Sequence, residues 1–167
     1  MPNFGYETAG STFQNQISGW VIGSKFTLIE DGTIISITGY INHDAGSDKF
    51  KMALYGNDSS LITETEELTA PDASGWVTGI LSTPVLLSAG TYILAFFIAE
   101  AGNYMYYDAG STGQTILDAG NTYPVFPGPG SFYSSFDAVF SIYATYNIID
   151  SGLSVGSHQS VKVDMDW

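Results

Sequence analysis

Lys49-Phe50-Lys51-Met52-Ala53-Leu54-Tyr55 decides the fold class. Phe50, Met52 and Leu54 fall on one side of an extended chain, and Lys49, Lys51 and Tyr55 on the other. Successive side chains of a strand point to opposite faces, so this alternation predicts a half-buried β-strand. The same period recurs on either side of it. Thr33 to Ile41 is β-branched and nearly alternating, and Phe136 to Tyr146 alternates with Phe136, Ala138, Phe140, Ile142 and Ala144 inward. Thr91 to Ala99 is apolar on both faces and predicts a central, covered strand. Weaker strand signals lie at 25–29, 61–65, 76–81, 104–107 and 161–165. Turn sequences separate them: Glu30-Asp31-Gly32, Asp44-Ala45-Gly46, Gly56-Asn57-Asp58, Ser88-Ala89-Gly90 and Ala101-Gly102-Asn103. Asp31-Gly32 reads as a hairpin turn. Helical spacing is nowhere sustained, and Thr63–Thr69 could form one helical turn at most. Many short strands at this spacing predict an all-β, two-sheet antiparallel sandwich of jelly-roll type.

The chain has 167 residues, enough for one domain with a real core. Seventeen acidic residues face four lysines, for a net charge of −13. Such a chain does not neutralise a phosphate backbone or adhere to an anionic membrane, so neither nucleic acid nor membrane insertion is expected. Hydrophobic content of 44% is too high for an acidic disordered tail. Cysteine is absent, which removes disulfides, thiolate catalysis and Cys-ligated zinc. The longest apolar run, Tyr92–Ala99, is far shorter than the roughly 18–20 residues of a membrane span. No basic leader with an apolar stretch opens the sequence, so a chain that is unexported, cropped or delivered in a larger particle is expected.

Two segments depart from the strand pattern. Asn121–Gly130, with Pro124, Pro127 and Pro129, predicts a rigid loop without regular pairing. Residues 148–167 follow the last core strand of a domain spanning 1–147. They open on Ile148-Ile149, pass through Gly and Ser, and end in Val161-Lys162-Val163-Asp164-Met165 before Trp167. This tail is expected to dock on its own domain or on a neighbouring subunit, with Ile148, Ile149, Val161, Val163, Met165 and Trp167 as assembly contacts.

Several residue groups carry potential chemistry. Gly152-Leu153-Ser154-Val155-Gly156 matches a nucleophile elbow and lies near His158, but no helix follows it, so it reads as a Gly/Ser linker. Two histidines, His43 and His158, cannot build a three-His zinc site. Asp44 and Asp48 share a loop with His43 and are the candidate ligands of a structural calcium ion. Glu64 and Glu66 have a spacing compatible with glycoside hydrolysis, yet their segment reads as a charged edge that blocks unwanted pairing. Asn57-Asp58-Ser59 is a formal glycosylation sequon.

Tyr104-Met105-Tyr106-Tyr107-Asp108 is the densest aromatic cluster, with Tyr104 and Tyr106 on one face of an extended chain. Aromatic rings stack on the C–H faces of sugars, and neighbouring Asp, Asn and Gln bond hydroxyls. Trp20, Tyr55, Trp76, Tyr104, Tyr106 and Asp108 are the candidate glycan contacts, with Tyr40, Tyr123 and Tyr143 beside them. Such rings also close the rims of sandwich cores.

The stretches 23–34, 51–55, 88–95, Tyr106-Tyr107-Asp108-Ala109-Gly110 and 140–146 resemble a family of uncharacterised β-sandwich domains. Those domains occur in hypothetical proteins of viral and environmental genomes and in cell-surface proteins. The resemblance spans roughly residues 4–146, implies the fold, and supplies no catalytic residue. The shape it implies is similar to jelly-roll carbohydrate-binding modules. Two non-enzymatic functions are expected. One is a structural or decoration protein of a virion or extracellular assembly, self-associating or joined to a larger protein assembly. The other is a carbohydrate-binding module.

Overall fold

The computed structural model describes residues 1–15, 18–130, 132–134 and 136–149. Thirteen strands account for its regular structure: β1 (Asn3–Gly5), β2 (Thr12–Asn15), β3 (Val21–Leu28), β4 (Gly32–His43), β5 (Lys49–Gly56), β6 (Leu61–Glu64), β7 (Leu68–Thr69), β8 (Gly75–Leu87), β9 (Gly90–Ile98), β10 (Asn103–Ala109), β11 (Thr115–Asp118), β12 (Ala138–Phe140) and β13 (Ile142–Ile148). All pairings are antiparallel, and no helix occurs among the described residues.

The first sheet runs β1-β13-β4, with β8 on the other side of β4, β10 beyond the start of β13, and β2 and β12 on β10. The second runs β11-β3-β9-β5-β6, with β7 also on β5. Setting aside β2, β7 and β10–β12, the orders β1-β13-β4-β8 and β3-β9-β5-β6 are those of an eight-stranded jelly roll. The expected two-sheet sandwich is therefore the observed architecture.

Burial explains the pairing. Ile37 and Ile41 of β4, with Met105, Phe140, Ile142 and Ala144, face Ile22, Phe50, Met52, Leu54, Leu94 and Phe96 across the main core. Between the two isoleucines, Gly39 also points inward. A Cβ there would stand 2.3 Å from the Phe96 ring and 2.9 Å from Met52 Sδ, so glycine makes room for that ring. At one edge, Thr115 Oγ1 lies 2.8 Å from both the N–H and the carbonyl oxygen of Ala138, joining β11 to β12 across the sheets.

Three expectations are corrected. Asp31-Gly32 is not a hairpin: β3 and β4 belong to different sheets, and the turn carries the chain across the core. There the Asp31 carboxylate accepts the Ala89 N–H at 2.8 Å, and a Cβ on Gly32 would meet the Tyr146 ring at 2.3 Å. The run 136–146 is not one strand. It pivots at Ser141, whose N–H donates to Tyr106 and whose carbonyl accepts from Tyr40, so the chain leaves β10 and joins β4. Lys49–Tyr55 is not half-buried, since Ala53 and Tyr55 on its outward side are covered. The cover is the proline-rich loop. Phe126 meets the rings of Tyr55 and Phe97 and joins Val21, Ala53, Ile93, Ala95 and Ile116 in a second buried cluster, against which Tyr123 and Phe132 pack. Two backbone bonds between Tyr133 and Leu117 clamp the loop to β11. The expected docking of Val161, Val163, Met165 and Trp167 lies outside the described residues.

Candidate aromatic binding face

No described segment covers the outer face of the first sheet in this way. Because Ile37, Gly39 and Ile41 point inward, Thr38, Tyr40 and Asn42 point outward. Register then sets Trp76 and Thr78 of β8 beside Tyr40 and Thr38, and Tyr143 of β13 on the other side of Thr38. On β10, Tyr104 opposes Asn42, and Phe13 of β2 opposes Tyr106. Six rings form an unbroken row. Centroids are 5.2 Å apart for Tyr104–Phe13, 6.0 Å for Phe13–Tyr106, 5.1 Å for Tyr106–Tyr40, 5.0 Å for Tyr40–Trp76 and 5.4 Å for Trp76–Tyr143. Interplanar angles run from 59° to 87°, so the rings meet edge to face or tilted. Phe13 is 54% exposed and Trp76 38%, while the tyrosines between them are half-buried by their neighbours.

At one end of the row Phe13, Asn42, Asp44, Tyr104 and Tyr106 line a shallow depression of about 270 Å³. The Tyr106 hydroxyl donates to Asn42 Oδ1 at 3.1 Å, and the Tyr104 hydroxyl donates to Asp44 Oδ2 at 3.3 Å. Desolvation, and then the Asp44 carboxylate, hold the Tyr104 hydroxyl above its ordinary pKa. Both phenol protons point at fixed acceptors, so the phenol oxygens remain free to accept hydrogen bonds from a ligand. Thr38 and Thr78 share a 2.9 Å hydroxyl bond beyond Tyr40. The lysines of the described residues, Lys25, Lys49 and Lys51, all sit on β3 and β5 of the other sheet.

Of the residues singled out in the sequence, Trp76, Tyr104 and Tyr106 come together here, joined by Tyr40 and Tyr143. Asp44 lines the depression at its end, and the other candidates lie elsewhere. Tyr55 is buried under Phe126 and Phe132, and its hydroxyl donates to the Pro127 carbonyl at 3.3 Å. Burial drives that hydroxyl far above its ordinary pKa, and the ring offers no face to a ligand. Trp20 is half-buried against the main core. Asp108 is occupied: it accepts the Ser11 N–H, the Ser11 hydroxyl and the Tyr6 hydroxyl, each at 2.8 Å. Those bonds hold its carboxyl below the usual aspartate range, the Ser11 N–H contributing most. Asp44 is engaged by Tyr104, and Asp48 pairs with Lys49 at 3.2 Å. Among the described residues no group of three or more His, Cys, Asp or Glu side chains could hold a metal ion. Glu64 forms an ion pair with Lys51 on the edge strand β6, and Glu66 lies off that strand. Residues 152–156 and His158 are outside the described residues. Sequence reading missed Phe13. Its strand, Thr-Phe-Gln-Asn, holds one apolar residue, and only pairing with β10 gives that residue a neighbourhood.

A family model for a domain of unknown function, DUF4082, matches residues 7–140. The chain belongs to this family. The match takes in Phe13, Tyr40, Trp76, Tyr104 and Tyr106, and stops just before β13, which carries Tyr143 and the exposed Ile148 and is followed by the exposed Ile149. No curated protein matches the chain.

Proposed function

We propose that this DUF4082 domain is a non-catalytic carbohydrate-binding module that meets glycans at an extracellular or particle surface. One observation carries the reading: a continuous six-ring row on a sheet face that no described segment covers, edged by phenol, amide and hydroxyl acceptors. Half-exposed rings next to fixed polar atoms suit sugars, which present apolar C–H faces and hydroxyls side by side. Affinity electrophoresis through a panel of polysaccharides tests it. The intact chain is retarded by at least one of them, and Trp76→Ala with Tyr106→Ala abolishes the retardation while the variant still unfolds cooperatively. Failure of every polysaccharide to retard the intact chain would falsify the reading.

Assembly is a second reading, favoured by the exposed apolar residues around Gly32. Ile148 and Leu87 both register with Gly32, Leu86 registers with Thr33, the Ile149 N–H reaches the Asp31 carbonyl, and Ile29 lies three residues upstream. Ile29, Leu86, Ile148 and Ile149 are all exposed. A virion or extracellular decoration protein would use this end, with residues 148–167, against a second copy or a larger protein. Sedimentation decides it: deletion of 148–167 dissolves an oligomer under this reading, and an unchanged oligomer rejects it.

A further inference from the structure

Resting on the carbohydrate reading, we infer that the aromatic face takes a single uncharged polysaccharide chain lying across the strands, about one sugar residue per strand over β2, β10, β4 and β8.

Direction comes from the order of the rings. Phe13, Tyr106, Tyr40 and Trp76 stand on four strands that neighbour one another in the sheet, so the row runs across the strands and not along one of them. Adjacent strands lie about 4.8 Å apart. That interval is close to the advance per residue of an extended pyranose chain, so each sugar meets a fresh ring. The physical state of the ligand comes from ring tilt. A crystalline polysaccharide offers one flat plane, and only coplanar rings can lie against it together. Here successive planes differ by 59° to 87°, so the row suits a separate chain whose sugar faces turn from one residue to the next. Charge supplies the last restriction. The Asp44 carboxylate lines the depression, the lysines of the described residues stand on the opposite sheet, and the whole chain carries −13. A uronate or sulfated chain would be repelled and would find no described lysine on this face.

The test is calorimetric titration with gluco-, manno-, xylo- and chito-oligosaccharide ladders from monosaccharide to hexasaccharide, beside soluble polygalacturonate and microcrystalline cellulose. In the best ladder, affinity rises by about tenfold or more between disaccharide and tetrasaccharide and is flat beyond. Trp76→Ala moves that plateau down to the trisaccharide, a change that mere loss of folding would not give. Polygalacturonate and microcrystalline cellulose are not bound. A monosaccharide that binds as well as the tetrasaccharide, a preference for polygalacturonate, or adsorption to the crystalline solid overturns this inference while leaving the carbohydrate reading intact. No binding to any of these, or to any polysaccharide of the electrophoresis panel, removes both. So does a concentration-dependent dimer that Trp76→Ala abolishes, because the face would then belong to a second copy of the chain.

Discussion

The two sheets carry similar aromatic side chains on their outer faces and treat them in opposite ways. On the second sheet, Tyr55 and Phe97 are sealed beneath Phe126, Tyr123 and Phe132, and a second core forms outside the first. On the first sheet, Tyr40, Trp76, Tyr106 and Tyr143 make the same kind of edge-to-face contacts, and no segment of the described chain closes over them. Aromatic content alone therefore does not mark a binding face. What separates the two is whether the chain supplies its own lid. The second sheet is lidded by a loop that is already stiffened by prolines and clamped at Leu117 and Tyr133, so covering that face adds little further ordering cost.

The largest expected difference tests this contrast directly. Phe97→Ala empties a fully buried site between Tyr123 and Phe126 and should lower the unfolding free energy by about 3–5 kcal/mol. Phe13→Ala removes a ring that is more than half exposed and should cost about 1 kcal/mol or less, while weakening glycan retention. Urea titration of both variants measures the pair. Equal losses would mean that the open face is as much a part of the core as the lidded one, and the comparison would fail.

Much of this contrast was hidden from the sequence for a physical reason. Alternation reports which residues of a strand share a side, and it placed Phe50, Met52 and Leu54 correctly on the core. It says nothing about what arrives later to cover the other side. Tyr55 and Tyr106 each sit in a half-apolar strand with polar neighbours, and their different fates depend on Tyr123, Phe126, Phe132 and Tyr133, which belong to neither strand. Tyr123 and Phe126 fall in Asn121–Gly130, which reads as a proline-rich loop because prolines interrupt any period, and Phe132 and Tyr133 lie just beyond it. Asp31-Gly32 misled in the same way. The local turn chemistry was right, but whether the next strand pairs in the same sheet or crosses to the other is settled by long-range partners, here β9 for β3 and β13 with β8 for β4. Of the binding candidates, Trp76, Tyr104 and Tyr106 were legible because each lies in a strand with its polar side recognisable. Phe13 was not, since its environment exists only once β2 is zipped to β10.

A smaller effect concerns how the open face is held at its rim. Asp108 fastens Ser11 and Tyr6 to β10, and Ser11 immediately precedes the strand that carries Phe13. Its folded carboxyl titrates below the unfolded value of about 3.9. The stabilisation is therefore fully present above that value and lost as pH falls from there through the folded value. Asp108→Asn should be less stable than the parent at neutral pH, and the gap should close below about pH 4. Urea midpoints measured across that range give the answer. A gap that stays constant into strong acid would separate Asp108 from the acid sensitivity of the rim, leaving only a neutral hydrogen-bonding role.

The smallest effect belongs to the lid's own edge. Lys51 lies on the outward side of β5 with its ammonium 5.7 Å from the centre of the Phe126 ring and ion-paired to Glu64, whose side chain is 37% exposed. Lys51→Met keeps the length of the stem over Phe126 and removes only the charge. An ion pair with one wet partner contributes little, and a cation 5.7 Å from the ring centre, near the outer limit of such contacts, contributes similarly, so the loss should be about 0.5–1 kcal/mol. It should shrink in high salt, because the screened part of the interaction goes first. A loss of several kcal/mol, insensitive to salt, would mean that the charge rather than the aromatic packing holds the loop down. The lid would then be an electrostatic latch, and the difference between the two faces would depend on solution conditions instead of being fixed by the fold.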